Sequence, residues 1–204
     1  MLRTAGVRHI SWMGMTAIQI ISLGLLLLFY AVYLGKKIAQ RRQGIRTDVL
    51  GTAGKPKRER MIETTLKVMT YSTVAVEVGS IVWGRSFLPE IWAWIGVSVT
   101  AAGVAFFVAA VLTMRDSWRA GISPEEKTEL VTGGVYGISR NPAFVGFDLT
   151  YIGLCLSFAN VVNIAFVIVT MILFHLQILQ EEKFLLSRTD IDYASYMRRV
   201  RRYL

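Results

Sequence analysis

The chain has 204 residues, of which 53% are apolar or aromatic and 18% are charged, and its formal net charge is +9. With a mean hydropathy of +0.46, this composition excludes a disordered or collagen-like chain and disfavours an ordinary soluble domain. The single cysteine excludes an intrachain disulfide framework and a multi-cysteine zinc site, and we expect no metal.

Long apolar runs predict an all-α, polytopic membrane protein. A helix needs about 20 mainly apolar residues to cross a bilayer core, and the stretch from Ile91 to Met114 contains no charge at all. We predict five transmembrane helices, at about 12–35, 61–83, 91–113, 142–158 and 161–180. The fourth is short, so the alternative is a four-span protein with 142–180 as a re-entrant hairpin.

Basic residues are distributed unequally between the two sides of these predicted helices. Loop 36–60, segment 114–141 and the tail 181–204 together carry nineteen Lys and Arg, against three on the opposite side. The positive-inside rule therefore places the N-terminus outside and the C-terminus in the cytoplasm. The net charge follows from this bias and does not indicate nucleic-acid binding, whereas anionic membrane lipids are possible partners of the basic loop.

The first region, residues 1–113, is predicted to contain three transmembrane helices and a basic cytoplasmic loop. Its third helix is rich in small residues, such as Gly96 and Gly103, which let membrane helices approach closely. Glu77 lies inside the second predicted helix, where a carboxylate is either functional or close to the outer interface.

The second region, residues 114–204, concentrates polar residues at the cytoplasmic ends of the last two predicted helices. The stretch Ser123-Pro-Glu-Glu126 is typical of the start of a short helix, which Thr132-Gly133-Gly134 would end. Pro142 is placed to open the fourth helix, where unpaired backbone N–H groups can receive a ligand's acceptor atoms. The adjacent carboxylates Glu181 and Glu182 are either solvated or meet a cation or several donors.

The tail 189–204 is predicted to form an amphipathic helix. Thr189 is a candidate cap, and an apolar stripe recurs at helical spacing through Ala194, Met197, Val200 and Leu204. Such a helix either lies on the inner leaflet or folds back over a cytoplasmic cavity.

The segment Glu129-Leu-Val-Thr-Gly-Gly-Val-Tyr-Gly-Ile-Ser-Arg-Asn-Pro-Ala-Phe-Val-Gly146 resembles the pattern L-V-x-x-G-x-Y-x-x-x-R-H-P-x-Y-x-G. Together with Glu181-Glu182 and the tail pattern Tyr193-x-x-Tyr196-x-x-x-Val200, it is similar to the isoprenylcysteine carboxyl methyltransferase family. The related membrane phospholipid methyltransferases share much of this pattern. The resemblance runs from about Trp118 to Val200, and the first 113 residues match only in being membrane helices.

The resemblance implies that S-adenosylmethionine donates a methyl group from a cytoplasmic pocket and leaves as S-adenosylhomocysteine. The implied cofactor-binding residues are Leu130, Val131, Tyr136, Arg140, Asn141, Pro142, Gly146, Glu181 and Glu182. A carboxylate pair suits the ammonium and sulfonium of this cofactor, and aromatic faces suit the sulfonium. No G-x-G-x-x-G motif is present, so we do not expect a soluble Rossmann domain.

The sequence departs from the family pattern at three positions. Asn141 stands where the family has His, so the side chain can hydrogen-bond but cannot titrate near neutral pH. Phe144 replaces a Tyr and lacks its hydroxyl. Gln177 stands at about the position of an Arg that is thought to meet the substrate carboxylate, and a neutral amide is a poor substitute for a guanidinium.

On the acceptor side, our candidate catalytic residues are Asp148, Gln177 and Arg119. We expect an integral membrane methyltransferase acting on a lipophilic small molecule or a lipid-linked substrate. Prenylcysteine carboxylate, a lipid amine and a small thiol all stay open as acceptors. The alternatives are an NADPH-dependent sterol-type reductase, which needs basic groups for its dinucleotide's phosphates, and a non-catalytic relic of the fold.

Overall fold

The computed structural model describes residues 15–44, 50–52, 55–118 and 130–204, and in this part of the chain the protein is helical. Short 3₁₀ turns lie at Arg115–Ser117 and Gly134–Gly137, and the described residues form no strand beyond one isolated bridge. The all-α prediction is confirmed. The helices are α1 Ala17–Arg42, α2 Lys57–Trp83, α3 Glu90–Met114, α4 Pro142–Ser157, α5 Val161–Ser187 and α6 Tyr193–Arg199.

Among the described residues, three helices are long and apolar enough to cross a membrane by length and composition, namely α1, α3 and α5. They expose large apolar side chains such as Leu27, Leu112 and Ile172, which suits contact with lipid. The helices α2 and α4 lie at the other two predicted positions, but neither is both long enough and apolar enough to count as a membrane span. The first turns of α2 are highly charged, and the 16 residues of α4 reach only about 24 Å. The count of five spans is therefore not confirmed.

Two helices run past the ends of their apolar stretches. The helix α1 continues through Lys36 and Lys37 to Arg42, and α5 continues through Glu181 and Glu182 to Ser187. Lys, Arg and Glu are strong helix formers, so a helix does not need to end where its apolar residues end. The two glutamates consequently lie inside α5, on different faces, instead of following it.

Helices α3 and α4 are antiparallel and in very close contact. A Cβ on Gly103 would lie 2.6 Å from the backbone nitrogen of Thr150, and a Cβ on Gly146 would lie 2.7 Å from the Cβ of Phe107. Small residues at these points let the two backbones approach, as predicted for the third membrane helix. The close approach that Gly146 permits is thus to Phe107 of α3, a role in helix packing that differs from the cofactor contact implied by the resemblance.

Polar side chains pair between α2 and α5 inside the bundle. The hydroxyls of Thr73 and Thr170 lie 2.7 Å apart, and Asn163 Nδ2 donates to Glu77 Oε2 at 3.2 Å. Glu77 is fully buried, so it makes an interhelical contact and does not sit at an exposed interface. Paired polar groups of this kind hold membrane helices together.

An aromatic core fills the end of the bundle where α3 and α5 finish and α4 begins, which we call the motif end. Phe29 stacks on Phe107 with ring centroids 4.2 Å apart, and Phe147 packs edge-on to both. Trp118 follows α3, is 3% exposed, and its carbonyl accepts a hydrogen bond from Gln40 Nε2 of α1. This core forms the floor of the site described next.

Candidate functional site

The segment between α3 and α4 is compact where the structure describes it, from residue 130 onward. Gly134 adopts a φ of +57°, a left-handed conformation that favours glycine, and opens the turn Gly134–Gly137. Ser139 Oγ then accepts a hydrogen bond from the Asn141 backbone at 3.1 Å. Pro142 is the first residue of α4, as predicted. The predicted start of a short helix at 123–126 lies outside the described residues.

The C-terminal tail folds back over this segment. Its helix α6 is capped by Asp192, whose side chain accepts from the Ser195 backbone, so the predicted cap Thr189 is wrong. Tyr196 Oη donates to the Tyr136 carbonyl at 2.6 Å. Burial raises the pKa of Tyr196 to about 12, so its hydroxyl stays a neutral donor.

The tail differs from the predicted amphipathic helix in length and in its buried face. The helix covers only seven residues, and Tyr193 and Tyr196 are its buried side chains. Ala194 and Leu204, from the predicted apolar stripe, are exposed. The backbone of Arg140 donates to the Arg201 carbonyl at 2.9 Å and fastens the chain beyond α6. Of the two arrangements left open by the sequence, this is the folded-back one.

A network of ion pairs joins residues 130–142, which we call the motif segment, to α5 and to the tail. Arg140 Nη2 lies 2.8 Å from Glu182 Oε1, and Arg202 Nη2 lies 2.8 Å from Glu182 Oε2. Asn141 Nδ2 also donates to Glu182 Oε1, and Arg140 Nη1 donates to the Val200 carbonyl at 2.7 Å. Both oxygens of Glu182 are therefore engaged by protein groups, which differs from the implied binding of cofactor by this residue.

A first cavity, the motif cavity, lies between the motif segment, α5 and the folded-back tail. It encloses about 760 Å³, its opening included. Seven of the nine implied cofactor-binding residues line it, the exceptions being Gly146 and Glu182. The lining residues are Met114, Trp118, Leu130, Val131, Tyr136, Arg140, Asn141, Pro142, Ala143, Phe144, Glu181, Leu185, Ile191, Tyr193 and Tyr196.

A second cavity, the aromatic cavity, lies among α1, α2, α4 and α5 and encloses about 720 Å³, its opening included. Aromatic side chains dominate its lining, and its polar groups include Lys67 and Gln177. The lining residues are Tyr30, Tyr33, Leu50, Leu66, Lys67, Thr70, Tyr71, Trp118, Phe144, Phe147, Phe174, Gln177 and Glu181. Such a surface suits an apolar molecule.

The two cavities share a wall made of Trp118, Phe144 and Glu181, each of which lines both. Gln177, one turn before Glu181 on α5, donates its Nε2 to Glu181 Oε1 at 2.9 Å. Glu181 therefore borders both cavities and is hydrogen-bonded to a residue of the aromatic cavity.

The candidate catalytic residues are placed differently from one another. Gln177 lines the aromatic cavity at the shared wall. Asp148 lines neither of these cavities, and its Oδ1 is buried without a hydrogen-bond partner. Arg119 lies outside the described residues.

Sequence reasoning missed most of the aromatic cavity. Most of its side chains come from four helices, and the aromatic pairs Tyr30–Tyr33 and Phe144–Phe147 are each spaced by three residues. That spacing places each pair on one helix face, but it is equally typical of ordinary core packing. Trp118 lines both cavities.

Residues 91–189 of this chain match the family model of phospholipid methyltransferases. The matched stretch runs from α3 through α5 and contains the motif segment, Gln177 and both glutamates. No curated protein matches the chain. The chain is thus an all-helical protein with candidate membrane helices and a region that matches a methyltransferase family. The family match confirms the resemblance predicted from the motif.

Proposed function

We propose that this protein is an integral membrane methyltransferase that uses S-adenosylmethionine and methylates a lipophilic acceptor. The observation that carries the proposal is the wall of Trp118, Phe144 and Glu181 shared by a polar motif cavity and an aromatic cavity. A transfer between two molecules requires the reacting atoms to be held in contact, and cavities that share lining residues place the two molecules next to each other.

The residues of the motif cavity fit this cofactor. Glu181 offers a carboxylate for its ammonium or ribose hydroxyls, and the aromatic faces of Tyr136, Trp118 and Tyr193 suit a sulfonium. When bound, S-adenosylmethionine supplies the methyl group. The role of the chain is to bind and orient the two reactants and to exclude water.

The tail is held against this cavity by hydrogen bonds and an ion pair. Tyr196 binds the Tyr136 carbonyl, and Arg140 and Arg202 bind Glu182. The carboxylate of Glu182 therefore orders the cavity wall and leaves Glu181 as the carboxylate that faces a ligand. This division of roles is the chemical reason for two adjacent glutamates with different surroundings.

The cavity is a poor fit to a reductase. A dinucleotide needs several cations for its phosphates. Among the described residues that line the motif cavity, Arg140 is the only cationic side chain. Its guanidinium is already bonded to Glu182 and to two tail carbonyls. We therefore favour the methyltransferase over the sterol-type reductase.

Calorimetric titration with S-adenosylhomocysteine tests the proposal, using purified protein in nanodiscs. We expect wild type to bind with micromolar affinity. Glu181→Gln is expected to weaken binding at least about tenfold, which corresponds to roughly 1.4 kcal/mol. Lys183→Gln alters an exposed neighbour on α5 and is expected to bind as wild type does. Folded wild type that shows no binding would contradict the proposal and favour the relic.

A further inference from the structure

The last residues of the tail run back along α5. Tyr203 Oη lies 2.6 Å from His175 Nδ1, and the two rings stack with their centroids 6.2 Å apart. His175 belongs to the apolar part of α5 and precedes Glu181 by about 9 Å along the helix axis. The contact therefore places Tyr203 at the depth of the predicted membrane span 161–180.

Two large apolar side chains are exposed near this end of the tail. Leu204, which follows Tyr203, is 59% exposed, and Ile138 is 57% exposed. Ile138 directly precedes Ser139, whose backbone forms a bridge with that of Arg201. Exposed apolar side chains at the edge of a membrane span suit the acyl boundary of a bilayer.

Three arginines of the tail are exposed close to the same edge. Arg198 and Arg199 lie at the end of α6, and Arg201 follows it. The buried face of α6 is taken up by Tyr193 and Tyr196, which hold the helix against the protein. The exposed side of the folded-back tail is therefore cationic.

The acids of the tail compensate this charge only in part. The tail 189–204 contains two of them, Asp190 and Asp192. Asp190 is paired with Arg188, and Asp192 interacts with Arg198 and Arg199. One carboxylate beside three guanidinium groups leaves a surface of net positive charge.

We propose that this surface docks on the headgroups of anionic phospholipids in the leaflet at the motif end. It consists of Arg198, Arg199, Arg201, Ile138 and Leu204, and we call it the tail surface. Each guanidinium can bind a lipid phosphate through two parallel N–H groups. The two apolar side chains lie at the acyl boundary and set the depth of the arginines.

Lipid bound at the tail surface is expected to strengthen cofactor binding. Tyr193 and Tyr196 of the tail line the motif cavity, and the Arg140 backbone donates to the Arg201 carbonyl at 2.9 Å. A lipid that binds the docked tail favours the form of the protein in which the motif cavity is complete, so lipid and cofactor bind cooperatively. The lipid contact goes beyond the proposed function, whereas this cooperativity rests on it.

Amide hydrogen exchange of residues 193–204 tests the lipid contact without any cofactor. The probes are nanodiscs of phosphatidylcholine alone and nanodiscs in which about a third of the lipid is phosphatidylglycerol. We expect exchange in the tail to be at least about fivefold slower in the anionic nanodiscs, and high salt to remove the difference. Equal exchange in the two kinds of nanodisc at low salt would overturn the proposal.

Two double variants remove equal charge from different places. Arg198→Gln/Arg201→Gln changes the tail surface, and Arg58→Gln/Arg60→Gln changes exposed arginines in the first turn of α2. We expect the difference in exchange to fall below about twofold in the tail variant and to persist in the α2 variant. Loss of the difference in both variants would show that overall charge causes it, and would overturn the proposal.

Calorimetric titration with S-adenosylhomocysteine in the two kinds of nanodisc tests the cooperativity. We expect wild type and the α2 variant to bind at least about threefold more tightly in the anionic nanodiscs, and the tail variant to bind about equally in both. Wild type that binds equally in both would overturn the cooperativity. Wild type that binds in neither fails the proposed function, and hydrogen exchange then still decides the lipid contact.

Discussion

Arg140→Ala is expected to lower the free energy of unfolding by about 1–3 kcal/mol, because it leaves Glu182 Oε1 short of a charged donor while Arg202 still pairs with Oε2. The side chains of Arg140 and Glu182 are only 7% and 5% exposed. The same substitution also removes the donors to the Met197 and Val200 carbonyls, which fasten the tail. Thermal unfolding in one detergent, with the affinity for S-adenosylhomocysteine, measures the effect.

The control for this prediction is Arg188→Ala. Arg188 pairs with Asp190, whose side chain is 53% exposed, and an exposed ion pair contributes only about 0–1 kcal/mol. We expect this variant to unfold close to wild type and to bind S-adenosylhomocysteine normally. Equal destabilisation by the two substitutions would show that the buried network does not hold the tail.

Filling each cavity separately is expected to abolish different parts of the activity. Ala143→Phe places a ring in the motif cavity, which Ala143 lines, and we expect it to abolish binding of S-adenosylhomocysteine. Thr70→Phe places a ring in the aromatic cavity, which Thr70 lines. We expect it to retain that binding and to abolish methyl transfer to a lipophilic acceptor. Calorimetry and label transfer on the same preparations measure both quantities.

Each of these variants is the control for the other, since both introduce the same ring at the motif end. Added volume in a packed region costs about 1–3 kcal/mol, so a general loss of folding would affect both in the same way. Loss of cofactor binding in Thr70→Phe alone would contradict the assignment of the two cavities.

The motif cavity could be predicted in large part from the sequence because eight of its fifteen lining residues lie in one stretch, 130–144. Leu130 to Pro142 form one connected segment, and a resemblance carried over residue by residue places them together. Gly146 and Glu182 lie on helix faces that point away from the cavity, toward α3 and toward Arg202. Linear spacing does not determine which of two adjacent glutamates meets a ligand, because neighbours on a helix point about 100° apart.

The aromatic cavity and the docked tail could not be predicted in the same way. The cavity depends on how α1 and α2 pack against α4 and α5, and no local sequence pattern determines such long-range packing. The tail has apolar residues at helical spacing, yet hydrogen bonds from Tyr196, Arg140 and Asn141 to backbone carbonyls decide its path. The number of membrane spans depends on α2 and α4. Charged residues lower the hydropathy of α2, and α4 is shorter than the about 20 residues that a span needs.

Ultraviolet crosslinking of methyl-labelled S-adenosylmethionine to the protein in nanodiscs, followed by peptide mapping, tests the central claim most directly. We predict label in peptides from residues 130–143 and 181–196, which form the motif cavity, and loss of that label with excess S-adenosylhomocysteine. In Ala143→Phe the label should disappear, and in Thr70→Phe it should stay. Label confined to other helices, or label that S-adenosylhomocysteine does not displace, would contradict the cofactor site.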